Sequence, residues 1–459
     1  MIIKDWAISD FLKKYSKVLL INPPIYDYLS HTNPDSMGRW GQPTGLLRIS
    51  TFLKQNGCNV SLFDCLEEND NGYIPTTFRK IVKFGNLIEK QYHIGMSFED
   101  FEKRLYRLSF YPEQIYITSI MTYWWESVKD TIALLKKVFP KSEVILGGIY
   151  PTLIPEHAEE HTSADIIIQG KVEEVFNLWT DFSLYKKSPN YAVILSSEGC
   201  PWNCSYCAQK KINEHGIRYR DPDDVVAEIE TKNKQYGITK FIFFADNFLT
   251  NKIHFQEIME RIISKNLQII LDAPKGVEPD LLDVQTLRLM RIAGWQRINL
   301  ALETVNEESR QNWHRKHTNE IQFRNAVELC RCAGFPSNSI HTFVLYGMPG
   351  EDLKKVKETA KYIHQQEAFI TPMPYTPVPG STMYSQYLYY IERKTDRIEM
   401  LHERLFPFSE YNGYTPKDYL HIENFMYSLN SKLRIYMYNK NQVGHKFAQK
   451  LSEQYAFAY

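Results

Sequence analysis

The chain has 459 residues, 43% of them hydrophobic, and 54 Lys plus Arg balanced by 54 Asp plus Glu. That composition describes an ordinary globular protein, implies no strongly basic surface for a partner, and leaves length for two or three domains. No run of about 18 apolar residues occurs, and Lys4, Asp5 and Asp10 stand where a secretory signal needs an apolar core, so the expectation is a cytoplasmic protein without a membrane span.

In chain order, "KVLLINPP" (17–24) reads as an apolar strand closed by Pro23 and Pro24, followed by a helical "GLLRISTFLKQNG" and a second strand, "CNVSLFD". Residues 67–112 lack clear periodicity, although "YHIGMSFEDFEKRL" within them looks like a helix docking on the sheet. The alternation resumes with "QIYITSI" (114–120), a helix over 127–140, "EVILGG" (143–148) and "ADIIIQG" (164–170). About five apolar strands with interleaved helices predict an α/β fold: a Rossmann-like parallel sheet covered on both faces, spanning residues 1–185.

A second series follows: "YAVILSS", "KFIFFAD", "QIILDAP", "RINLALET", "SIHTFVLYG" and "AFITPMP", each but the last leading into a helical stretch. Six such units predict a partial barrel over residues 186–380, with Gly294 and Gly334 as left-handed helix caps. Residues 381–459 are rich in Tyr and Phe without this rhythm and are expected to form a small helical extension. Seven cysteines in a chain without a secretory signal argue for reduced thiols rather than a disulfide framework. Cys58, Cys65 and Cys330 read as small buried hydrophobes, the last sharing one helical face with Phe323 and Val327.

The remaining signal is "SSEGCPWNCSYC" (196–207), which sets Cys200, Cys204 and Cys207 just beyond the first barrel strand. In such folds ligands gather at the carboxyl ends of strands. Four thiolates usually complete a structural zinc site or an iron–sulfur cluster, so three leave one coordination position open for chemistry. A zinc site is the alternative. It would draw on His215, which has no second His or Cys beside it.

The spacing Cys-x-x-x-Cys-x-aromatic-Cys, here Cys200, Cys204, Tyr206 and Cys207, resembles the radical S-adenosylmethionine (SAM) enzymes, and the resemblance runs on through "FFADNFLTN", "APKGVEPDLLD", "AGWQRINLALETVNEESR" and "FVLYGMPGE". It implies that the three thiolates hold a 4Fe–4S cluster whose fourth iron is chelated by SAM, and that reduction cleaves SAM to a 5′-deoxyadenosyl radical. It further implies an electron donor such as flavodoxin or ferredoxin, and SAM contacts from Tyr206, Asp246, Glu303, Gly347 and Pro349. Asn247 follows Asp246 where the family carries a second acid. Gly350 and Glu351 complete a "G-x-P-G-E"-like turn.

The amino-terminal segments "LLINPP", "ITSIMTYWW", "VILGGIYPTLIPEHA" and "ADIIIQGKVEEVF" resemble the cobalamin-binding domain that precedes the radical domain in one branch of that family. The resemblance implies cobalamin contacts from Ser119, Thr122, Gly147, Gly148, Tyr150, Pro151, Thr152, Gln169 and Gly170. None of the thirteen histidines lies in an Asp-x-His-x-x-Gly motif, so no protein histidine is expected on the cobalt. Lys171 is a departure, because relatives often carry an acid there.

The function implied is a cobalamin-dependent radical enzyme, foremost a methyltransferase acting on a weakly activated carbon of a small molecule or peptide. The alternatives are cobalamin-dependent rearrangement or cyclisation, and a radical SAM enzyme with a degenerate first domain. From another class come a non-catalytic iron–sulfur protein and an RNA-binding protein. Against the last, residues 390–459 hold ten Lys plus Arg to eight Asp plus Glu, too even a balance for strong phosphate attraction.

Overall fold

The computed structural model describes residues 1–4, 6–11, 16–29, 41–69 and 71–441. The amino-terminal half contributes β1 (Ile2–Lys4), β2 (Lys17–Asn22), β3 (Ile25–Tyr28), β4 (Asn59–Asp64), β5 (Thr76–Phe84), β6 (Leu87–Ile94), β7 (Gln114–Ser119), β8 (Glu143–Gly148) and β9 (Ile166–Gln169). Six of these form one parallel sheet in the order β1-β9-β8-β7-β2-β4. Successive side chains of a strand point to opposite faces, and both faces are covered: Val18 and Leu20 enter one core, Leu19 and Ile21 the other. That is why β2 reads as an unbroken apolar run.

The sheet has one strand more than the expected five, because three-residue β1 is too short to show a period. The aperiodic insert also differs from expectation. Its β5 and β6 form a hairpin that joins β3 in a separate antiparallel sheet. The helix expected over "YHIGMSFEDFEKRL" begins only at Phe98, capped by Ser97, while Tyr92–Ile94 belong to β6. Gly95 separates the two elements at φ 113°; a Cβ there would sit 2.5 Å from the Cys65 carbonyl oxygen.

In the second half, β10 (Ala192–Ile194) leads to β11 (Ser197–Glu198), β12 (Arg218–Tyr219), β13 (Lys240–Phe243), β14 (Ile270–Asp272), β15 (Ile298–Glu303), β16 (Ile340–Tyr346) and β17 (Phe369–Pro374). The arcs β10-β13-β14 and β15-β16-β17 are both parallel, and single parallel bridges, Leu271 to Trp295 and Val277 to Leu300, connect them. These are the six expected barrel strands. β11 and β12 form a short antiparallel ribbon beside the first.

The carboxyl-terminal extension is helical as far as it is described; residues 442–459 lie outside the described residues. Its long helix, Pro416–Asn441, buries Tyr419, Ile422, Met426, Leu429 and Leu433 along one face. Asn430 accepts from the Ile370 amide (2.8 Å) and donates to the Ile370 carbonyl (2.7 Å), so this helix seals part of the open edge of β17. Among the described residues no helix is long and apolar enough to cross a membrane.

A three-thiol loop at the barrel mouth

The loop begins with a forced backbone crossing. Gly199 sits at φ 87°, and a Cβ there would come within 2.5 Å of the Gly216 carbonyl oxygen, so only glycine carries the chain from β11 past β12 into the thiols. The loop is then pinned from both sides. Ser205 donates its amide to the Trp313 carbonyl (2.9 Å), and Met383 of the extension donates to the Ser205 carbonyl (2.7 Å). Trp202 stacks on His317 with ring centroids 4.1 Å apart, and Tyr206 meets Trp313 edge to face.

All three cysteines are free thiols, with Cys207 the most exposed. Burial pushes the Cys200 thiol up to about 11, so a metal must displace its proton. Among the described residues no three His, Cys, Asp or Glu side chains converge closely enough for one metal ion. His215 is drawn toward Glu173 at 3.7 Å.

Behind Cys204 lies a residue that the sequence reading passed over. Arg315, 3% exposed at its side chain, lies 3.8 Å from the Cys204 sulfur, grips Glu278 at 2.8 and 3.2 Å, and donates to the Ala301 carbonyl. Burial would raise the Glu278 carboxyl, but Arg315 and His317 hold it below the usual range. Burial likewise raises the Cys204 thiol, and the same guanidinium pulls it back toward the anionic form that binds iron. The only sequence signal was a basic cluster, "WHRKH", beyond the fourth barrel strand.

The residues expected to contact SAM lie at the ends of neighbouring strands. Asp246, beyond β13, accepts from Lys275 (2.6 Å), the Gly199 amide (2.9 Å) and Asn213 (3.0 Å). Burial opposes its charge, yet Lys275 with these donors holds the carboxyl below its usual range. Glu303 ends β15 at φ 67°, a left-handed position at a register shift of the ladder. Burial raises its carboxyl and Arg315 partly offsets this. Asn247 buries a side-chain amide nitrogen without a partner.

At the end of β16, the Gly347 amide donates to Glu351 Oε2 at 2.7 Å and the Gly350 amide to Asn412 Oδ1 at 2.7 Å, with Pro349 between them. Burial raises the Glu351 carboxyl to about 8. A raised folded pKa means that protonated Glu351 stabilises the fold fully below about pH 4.3, its unfolded value, and that this contribution is lost as pH climbs through 8. Glu351→Gln should flatten the decline in unfolding free energy between pH 5 and 8 by up to about 1.4 kcal/mol per pH unit. Urea unfolding measures it; an unaltered slope would count against the buried acid.

The residues expected to contact cobalamin gather at the carboxyl ends of β7, β8 and β9. Ser119 pairs with Gly148 across the ladder, Thr122 follows in a short 3-10 turn, and Gly148 O, Thr152 Oγ1 and the Gly170 amide are joined at 2.6 and 3.1 Å. A Cβ built on Gly147 would make ordinary contact with the Ile168 Cβ at 3.8 Å, whereas one on Gly170 would meet nothing within 4 Å, so Gly170 borders open space beside Gln169. Gly148 has another reason: a Cβ would strike the Ser119 carbonyl oxygen at 2.4 Å. Tyr150 and Pro151 are buried, and the Tyr150 hydroxyl lies 2.8 Å from His157 Nδ1. The carboxyl ends of these strands, with Gly170 open beside them, fit a ligand resting on backbone.

Comparison with known proteins agrees with this architecture. The chain is similar to an anaerobic magnesium-protoporphyrin IX monomethyl ester cyclase of Rubrivivax gelatinosus, 24% identical over 62% of this chain and 58% of the relative, a little over half of the relative's length. It is similar also to a cytidylyl-2-hydroxyethylphosphonate methyltransferase of Streptomyces wedmorensis, 20% identical over 81% of each. Among solved structures it shares its fold with the radical SAM methyltransferase TsrM of Kitasatospora setae, determined with cobalamin and a 4Fe–4S cluster bound, at a TM-score of 0.61 and 15% identity over 82% of this chain and 75% of that one. Residues 194–363, which contain the three-thiol loop, match the family model of the radical SAM superfamily.

Proposed function

We propose that the protein is a cobalamin-dependent radical SAM methyltransferase acting on a weakly activated carbon of a small molecule or peptide, with domains at 1–185, 186–380 and 381–459. The observation that carries this reading is the placement of the open β7–β9 edge against the thiol loop: Lys171, just beyond β9, reaches Glu198 at 2.7 Å two residues before Cys200. Likeness to TsrM and to the phosphonate methyltransferase supports it. The cyclase relative favours cyclisation as a second reading.

When bound, the cluster and cobalamin supply one-electron cleavage of SAM and carriage of a methyl group. The chain's own residues do the rest. Cys200, Cys204 and Cys207 offer three ligands and leave one iron free for SAM. Arg315 keeps a positive charge beside Cys204. Glu303 and Asp246 present carboxylates at the barrel mouth. A small electron-transfer protein such as flavodoxin or ferredoxin would supply the electron.

Anaerobically reconstituted protein should retain stoichiometric hydroxocobalamin through gel filtration, and the paramagnetic resonance of its cob(II)alamin form should lack the splitting that an axial nitrogen imposes. Failure to retain cobalamin rejects the reading. Label from the SAM methyl group appearing in product separates methylation from cyclisation. Glu303→Gln should weaken SAM binding about ten- to a hundredfold, the worth of a hydrogen bond to a charged group, while sparing iron. Unchanged SAM affinity would remove Glu303 from the site.

A further inference from the structure

Lys171, the residue that departs from the resemblance, sits in a continuous polar chain between the two candidate cofactor sites. On one side it follows Gly170, whose amide is tied through Thr152 Oγ1 to the Gly148 carbonyl at the β8–β9 edge. On the other, its ammonium pairs with Glu198 at 2.7 Å and donates to Asn213 Oδ1. Asn213 donates in turn to Asp246 (3.0 Å), and Asp246 accepts from the amide of Gly199, the residue before Cys200 (2.9 Å). Arg218 supplies the other cation on Glu198, at 2.8 Å. The network is largely dry: side-chain exposure is 25% for Lys171, 11% for Glu198 and 8% for Asp246.

Lys171 also borders open space. With Lys4, Thr152, Gln169, Gly170 and Lys211 it lines a shallow surface cleft between the ends of these strands and the helix that follows the thiols. A ligand seated on the β8–β9 edge therefore meets the Lys171 stem, and any shift of its ammonium is felt by Glu198 and Asn213, which flank the thiol loop. An acid in its place would face Glu198 across a nearly dry gap and leave the Asn213 oxygen without its donor.

We propose that Lys171 is a positioning residue that couples the two sites, so that filling the β7–β9 edge changes how tightly the barrel mouth holds SAM. This rests on the cobalamin reading. A shared salt bridge that only stabilises the domain junction would raise the melting temperature without linking two affinities; coupling is reciprocal, and each ligand must change the other's affinity by one factor.

The test uses full-length, cluster-reconstituted protein. SAM affinity is measured by equilibrium dialysis with and without hydroxocobalamin, and hydroxocobalamin affinity with and without SAM. The unaltered protein should show both affinities moving by the same factor, about fivefold or more. Lys171→Met should bring that factor close to one with iron content retained, and Lys171→Arg should keep most of it. Asn213→Ala, which leaves the Lys171–Glu198 pair in place, should lose the factor as well and serves if Lys171→Met does not fold. An unaltered protein that binds no cobalamin overturns the functional reading and this proposal together. One that binds both cofactors, but shows no coupling or keeps it undiminished in Lys171→Met and Asn213→Ala, overturns the role of Lys171 alone.

Discussion

Replacing any one of Cys200, Cys204 or Cys207 with Ala is expected to abolish the cluster and, with it, all reductive cleavage of SAM. Each thiolate would hold its own iron, and the loop itself carries no spare thiol or imidazole. The loop itself should stay folded, because it is held by the Ser205 and Met383 amides and by the Trp202–His317 stack rather than by the thiols. Hydroxocobalamin binding should therefore survive in each variant. Anaerobic iron and sulfide analysis decides: a single-Ala variant that still carries a full complement of irons would mean that the cluster is held elsewhere.

Arg315→Ala is expected to be the most destabilising single substitution near the site. It would strip a nearly fully buried carboxylate, Glu278, of its bidentate partner, and leave the Ala301 carbonyl without its donor. Breaking one side of a buried ion pair typically costs about 3–5 kcal/mol, because the remaining charge is left out of water with its main partner gone; here His317, at 3.2 Å, would remain beside Glu278. Removing both charges should cost less, so Arg315→Met with Glu278→Gln is expected to melt above either single variant. The same change takes the cation from beside the Cys204 sulfur, so Arg315→Ala should also load iron less tightly. Thermal melts of the four proteins form a cycle that checks this. Single variants that melt with the unaltered protein would show that the pair contributes little, and that the guanidinium serves the sulfur alone.

The two largest legible features of the chain were both local. Continuous apolar strands such as Val18–Ile21 and Ile115–Ile117 could be read directly, because a parallel sheet covered on both faces demands apolar side chains at every position. The hairpin of β5 and β6 could not. Its outer face carries Phe78 and Ile88, 57% and 64% exposed, while Val82 and Leu87 face inward at 5% and 8%, so apolar residues fall on both sides and no period of two emerges.

The thiol loop follows the same division. Cys200, Cys204 and Cys207 lie within eight residues, and a ligand set that close in sequence stays close in any fold that forms the loop. The groups that tune it come from far apart: Arg315 is 111 residues from Cys204 and 37 from Glu278, and Asn213 is 33 from Asp246. By itself the sequence determined the buried parallel strands and which three sulfurs stand together, since each of these depends on neighbours a few residues away. The tertiary structure alone decided which buried charges are neutralised and what joins the two halves, because a charge out of water needs a partner within a few ångströms, and only the closed barrel and the docked sheet bring those partners there.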